Sequence, residues 1–118
     1  MDKIKSYRDL IAWQKAMDLV VSVYRETASL PQSEQYGLTA QMRKSAVSVP
    51  SNVAEGWGRN ATQDYLRFLR VARASLFELT TQVEICDRLG FAGNWDSITA
   101  DADEVRRVLH GLIRSIGS

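Results

Sequence analysis

Apolar residues return at steps of three and four along four successive stretches of the chain, so the pattern predicts helices and no strands. The first stretch covers about residues 9–29. Leu10, Trp13, Met17, Val20 and Tyr24 share one line, and Ala12, Ala16, Leu19 and Val23 form a second line beside it. This apolar arc is wider than one helix–helix seam requires. Asp9 is placed to cap the helix, and Pro31 to stop it. Ser33, with Glu34 near the positive end, is expected to open a second helix over 33–56 whose core line is Leu38, Met42, Ala46, Val49 and Val53. Pro50 cannot bond the carbonyl of Ala46, yet the apolar spacing stays in phase across it, which predicts a continuous helix kinked at Pro50. Gly56 and Gly58 are expected to supply the positive φ that ends it.

The third helix, 62–89, is expected to use Thr62 as its cap. Its seam, Tyr65, Leu69, Ala72, Leu76, Leu79, Val83 and Cys86, alternates steps of four and three in heptad fashion. The fourth, 96–116, repeats the alternation with Trp95, Ile98, Ala102, Val105, Leu109, Leu112 and Ile116. Four such helices joined by short loops predict an all-α, antiparallel up-down-up-down four-helix bundle. The 118 residues then form one domain, 1–118.

Composition narrows the function classes without selecting one. The charges nearly cancel, 15 basic against 14 acidic side chains, which argues mildly against a dedicated nucleic-acid binder. The single Cys86 excludes an internal disulfide framework and fits a reducing compartment. The N-terminus has no apolar core of a secretory signal, and no apolar run approaches the ~20 residues needed to span a bilayer. A soluble, cytoplasmic protein without membrane contact is expected.

Catalytic chemistry has little to stand on. His110, beside Arg107 and Arg114, complements the negative end of the last helix, while Asp96, Asp101, Asp103 and Glu104 suit its positive end. Cys86 continues a core line and has no histidine near it in sequence to serve as base. The Glu-x-x-His pairs of metal-binding bundles do not occur, and Gly56-Trp57-Gly58 lacks the strand–loop–helix setting of a phosphate loop. No catalytic residue, metal, cofactor or small-molecule substrate is inferred, and a non-enzymatic protein is expected.

Three surface features remain. Ser45, Ser48, Asn52, Glu55 and Arg59 make a polar line on the second helix, and Ser75, Glu78 and Gln82 a matching one on the third. Such lines hold helices in register, within the bundle or between subunits, or else border a binding groove. Apolar residues in excess of one core, among them Leu19, Val23, Phe68, Val71 and Phe77, are expected to form an interface between copies of the chain. Arg43, Lys44, Arg59, Arg67, Arg70 and Arg73 cluster on the second and third helices, either as a solvated face or as a phosphate-binding surface for RNA or DNA. Trp57 fits a corner plug or a base-stacking platform.

Several blocks together resemble a known family. They are Tyr7-Arg8-Asp9-Leu10 with Trp13-Gln14-Lys15-Ala16, then Leu30-Pro31, Tyr36-Gly37-Leu38 and Gln41-Met42-Arg43-Lys44-Ser45-Ala46. Ser48-Val49-Pro50-Ser51-Asn52-Val53-Ala54-Glu55-Gly56, Arg59 and Ser75-Leu76-Phe77-Glu78-Leu79 complete the set. The chain is similar to the small four-helix-bundle proteins encoded in intervening sequences of bacterial large-subunit ribosomal RNA genes. The resemblance implies a cytosolic bundle that self-assembles, with cyclic pentamers among relatives, and no assigned activity. A related branch serves the reverse transcriptase of diversity-generating retroelements as a strongly basic, nucleic-acid-binding accessory protein, and this chain's near-neutral charge departs from it. The partners expected are therefore other copies of the chain, with nucleic acid or an unidentified protein as the alternative.

Overall fold

A helix forms where its first N–H groups and last C=O groups find partners, and the observed boundaries follow those partners. The computed structural model describes residues 3–117. It holds four α-helices, α1 (Ile11–Thr27), α2 (Leu38–Trp57), α3 (Thr62–Arg88) and α4 (Trp95–Gly117), and no strand among the described residues. Short 3-10 turns, Tyr7–Asp9 and Gln32–Glu34, precede α1 and α2.

Three caps differ from the sequence expectation. Asp9 reaches backwards, its carboxylate accepting from the backbone N–H of Lys5 (2.9 Å) and Ser6 (3.2 Å), so it closes a capping box on the first 3-10 turn. Helix α1 then starts after Leu10 without a side-chain cap. Ser33 lies within the second 3-10 turn, and it is the Glu34 carboxylate that accepts from the Leu38 N–H (3.1 Å) as α2 begins. Thr62 is the first residue of α3, with Ala61 at the cap position.

The glycines carry a further correction. Neither Gly56 nor Gly58 has a positive φ; among the described residues only Gly90 does, at 75°. There the Phe91 N–H reaches back to the Cys86 carbonyl (3.1 Å), the left-handed stop that ends α3. Gly56 is required for space instead. A Cβ on it would lie 2.9 Å from the Phe68 Cβ and 3.2 Å from the Tyr65 carbonyl oxygen.

Packing follows a closed circuit: α1 on α2, α2 on α3, α3 on α4, and α4 back on α1. Contacts between α2 and α3 descend one helix as they climb the other, from Met42–Cys86 through Ser48–Ser75 to Gly56–Phe68. Helix α2 runs unbroken through Pro50, which is buried. The core contains Leu19, Met42, Leu69, Leu76, Leu79, Ile98 and Leu109, each under 2% exposed. Burial of each such side chain contributes roughly 1.5–3 kcal/mol. At one end the α3–α4 loop is tied to α1: the Asn94 N–H donates to the Glu26 carboxylate (2.7 Å), and the Ser29 hydroxyl to the Ala92 carbonyl (3.1 Å).

Helix α1 reverses the expected division of labour. Its inward line is Ala12, Ala16, Leu19 and Val23, with Thr27; Met17 and Tyr24 on the other line stay about 40% exposed. The alanines let the α1 backbone approach the core closely, and that approach leaves the bulky Trp13, Met17 and Tyr24 at the edge beside α2. Leu19 and Val23 are therefore core residues, 1% and 0% exposed, and not an interface between subunits. Among the described residues, no helix is long and apolar enough to cross a membrane.

Gly56→Ala tests the close approach. Helix propensity favours alanine by about 1 kcal/mol, but beside the Tyr65 ring it would crowd the Phe68 Cβ and the Tyr65 carbonyl oxygen, which cannot swing aside. Overpacking of this kind costs about 1–3 kcal/mol, so urea denaturation is expected to show a net loss of stability; a gain would contradict the spatial role.

Candidate functional site

The two polar lines meet where α2 faces α3. The Ser48 and Ser75 hydroxyls are hydrogen-bonded at 2.8 Å. The Asn52 amide donates to the Ser48 carbonyl (2.8 Å) and hydroxyl (3.0 Å), and the Ser75 hydroxyl also approaches the Val71 carbonyl (3.1 Å). Ser45 and Ser75 are buried and Ser48 and Asn52 half-buried. Short side chains one turn apart can share protons in this way without spreading the helices. The lines diverge further out: Glu55 pairs with Arg59 (3.1 Å) in the open, Glu78 is exposed, and the buried Gln82 Oε1 has no protein partner. The Tyr65 hydroxyl is likewise buried without one, and burial pushes its pKa up.

The basic residues divide among several tasks. Arg43 serves the end of α1: its Nε donates to the Thr27 hydroxyl (3.0 Å), its Nη2 to the Tyr24 carbonyl (3.4 Å), and its guanidinium lies 4.5 Å from the Tyr24 ring centre. A cation there also complements the negative end of that helix. Arg59 and Arg67 come together on Phe68, 4.6 and 4.7 Å from its ring centre, and each also meets an acid, Glu55 and Asp64. Lys44 and Arg70 are exposed and Arg73 is half-buried. The cluster is therefore no single face: Arg59 and Arg67 meet on Phe68, Arg67 and Arg70 line one groove along α3, and Arg43 turns to α1.

Of the expected interface residues, Phe68 is half-buried beneath those two guanidinium groups, while Val71 and Phe77 are 43% and 55% exposed. Sequence reasoning missed a groove of about 330 Å³ between α1 and α2, lined by Trp13, Met17, Val20, Val47, Pro50 and Ala54. The alanine line of α1 was the signal that could have found it, because it takes the inward face and displaces the larger residues to the groove.

The groups considered for chemistry sit apart. His110 is exposed on α4. Cys86 is buried, its Sγ 3.5 Å from Met42 Sδ, and burial together with the Glu34 charge raises its pKa. Trp57 packs edge-on to Tyr65, 6.4 Å between ring centres, as a half-buried corner. Among the described residues no group of three or more His, Cys, Asp or Glu is placed to hold a metal ion.

The family model for "23S rRNA-intervening sequence protein" matches residues 8–111. The chain belongs to this family. No curated protein matches the sequence. Among solved structures, the bundle superposes on a protein of unknown function from the S23 ribosomal protein family of Bacteroides thetaiotaomicron, with a TM-score of 0.77. That match covers 87% of this chain and 98% of the other at 18% identity, which establishes a common fold. The family match thus spans α1, α2, α3 and most of α4.

Two measurements follow from the site. A double-mutant cycle of Ser48→Ala and Ser75→Ala is expected to give a coupling of about 0.5–1.5 kcal/mol, measured by urea denaturation; additive losses would mean the hydroxyls act separately. For Cys86, the folded chain holds the thiol proton to higher pH than the unfolded chain does. Its contribution is full below the ordinary thiol value of ~8.5 and is lost as pH rises above it. Stability is expected to fall more steeply above that pH in the wild type than in Cys86→Ala; identical profiles would remove Cys86 as the cause.

Proposed function

We propose that the chain is a non-enzymatic assembly module, a bundle that associates with copies of itself in a cyclic ring and acts through its surfaces. The observation that carries this reading is the apolar exposure along α3, where Val71 and Phe77 with Ile85 (42%) stand open to solvent on a helix whose inner face is already fully used. Apolar side chains in such number on the outside of a small bundle mark a surface that another surface covers. Family membership supports the same reading, since the resemblance suggests pentamers. A cytosolic setting fits the single free thiol.

Light scattering on a sizing column tests it. The wild type is expected at a discrete multiple of 13.3 kDa. Val71→Asp with Phe77→Asp, both on the outside and so compatible with folding, is expected to reduce it to one subunit at unchanged helical circular dichroism. A monomeric wild type would overturn the proposal.

A second reading, nucleic-acid binding, is favoured by one observation, the convergence of Arg59 and Arg67 on Phe68 with Arg70 nearby. Each phosphate contact releases counterions, so affinity for RNA would fall steeply with salt and drop in Arg67→Ala with Arg70→Ala. A flat salt response would count against it.

A further inference from the structure

The α1–α2 groove differs from the α3 surface in having charge fixed at both of its ends. Tyr7 closes one end, edge-on to Trp13 at 5.3 Å, with the Arg8 guanidinium 4.8 Å from its ring centre. One turn beyond Val20, Tyr24 marks the other end, with Arg43 over its ring. Lys44, exposed, lies one turn before Val47 on the same side. Neither Arg8 nor Arg43 has a carboxylate within ion-pair distance among the described residues.

Among the described residues, the neighbouring acids are directed elsewhere. Asp9 is held in its capping box, and Asp18 lines the opposite cleft with Lys15 and Glu104. Glu26 accepts from Asn94, Glu34 from Leu38, and Glu55 pairs with Arg59. The groove is thus largely apolar, with one cation beside Tyr7 at one end and a second, Arg43, one turn beyond Val20 at the other.

We infer that this groove docks an amphipathic helix of another protein, one with an apolar stripe and carboxylates flanking that stripe at both ends. From Trp13 to Val20 the groove runs roughly 10 Å, or about two helical turns, and the Tyr24–Arg43 pair lies one turn further on. Two adjacent helices present a trough for a third helix's side chains and offer no free strand edge, so an extended segment has nothing to pair with. A second copy docking groove to groove across a two-fold axis would set arginines against arginines, which is repulsive. A head-to-tail contact would bring the arginines of another copy's α3 to a groove that already has a cation beyond each end.

The test uses the full chain and two synthetic helical peptides of about four turns. They share one leucine–alanine stripe; one has glutamates at both ends, the other lysines. Calorimetric titration at low salt is expected to show binding of the glutamate peptide, with the lysine peptide about tenfold weaker, and a smaller gap at high salt. Met17→Lys and Val47→Glu, both at exposed positions, are expected to abolish binding at unchanged helical circular dichroism. Arg8→Ala, which leaves the Arg43 contacts intact, is expected to narrow the difference between the peptides. Absence of binding by the glutamate peptide, or equal binding of both, would overturn the inference. So would a subunit mass that falls in Met17→Lys, which would assign the groove to a second copy; a mass that responds only to Val71 and Phe77 keeps the two surfaces separate.

Discussion

Helices α2 and α3 approach so closely that their contacts are set atom by atom. A hydrogen at Gly56 leaves room for Phe68, two serine hydroxyls touch at the middle of the seam, and two sulfur atoms meet further along it. A shift by one residue would replace Gly56 with Glu55 or Trp57 and each serine with an apolar residue, so the first two contacts would be lost. The rest of the bundle is hung on this pair: α1 lies against α2 through its alanine line, α4 lies against α3, and those two meet to close the circuit.

Much of this was legible in the sequence. Strict alternation of threes and fours names the inner face of α3 almost residue by residue, since a helix packed on both sides has one solution for its large side chains. Helix α1 was harder, because it offers two apolar lines. Size suggested the line with Trp13 and Met17, whereas the structure buries Ala12 and Ala16 with Leu19 and Val23. Small residues carry little transfer energy of their own, yet they set how near two backbones can come, a property that hydropathy does not record. Gly56 was flagged as a stop for the same reason: a sequence shows that a side chain is missing, not what occupies its place.

The polar line was visible as a pattern, and its tight middle, Ser48 with Asn52 and Ser75, follows from steps of three and four on facing helices. Its ends did not follow, because Glu55 and Glu78 are long enough to reach solvent. The basic cluster was legible only as proximity in the chain. Arg43 turns to α1, while Arg59 and Arg67 share a phenylalanine. Where a flexible cation settles depends on which carbonyls and rings the packing leaves open to it.

The tie between α1 and the α3–α4 loop bears on the order in which the bundle forms. Most packing joins helices adjacent in sequence, and such local contacts close quickly. The bonds from Glu26 to Asn94, Ser29 to Ala92 and Lys15 to Glu104 instead join segments 63 to 89 residues apart. Their loop-closure entropy is recovered only after α2 and α3 are in place. The α1–α4 seam is therefore the closure that costs the chain most entropy, and its contacts are separate from those that join α2 to α3.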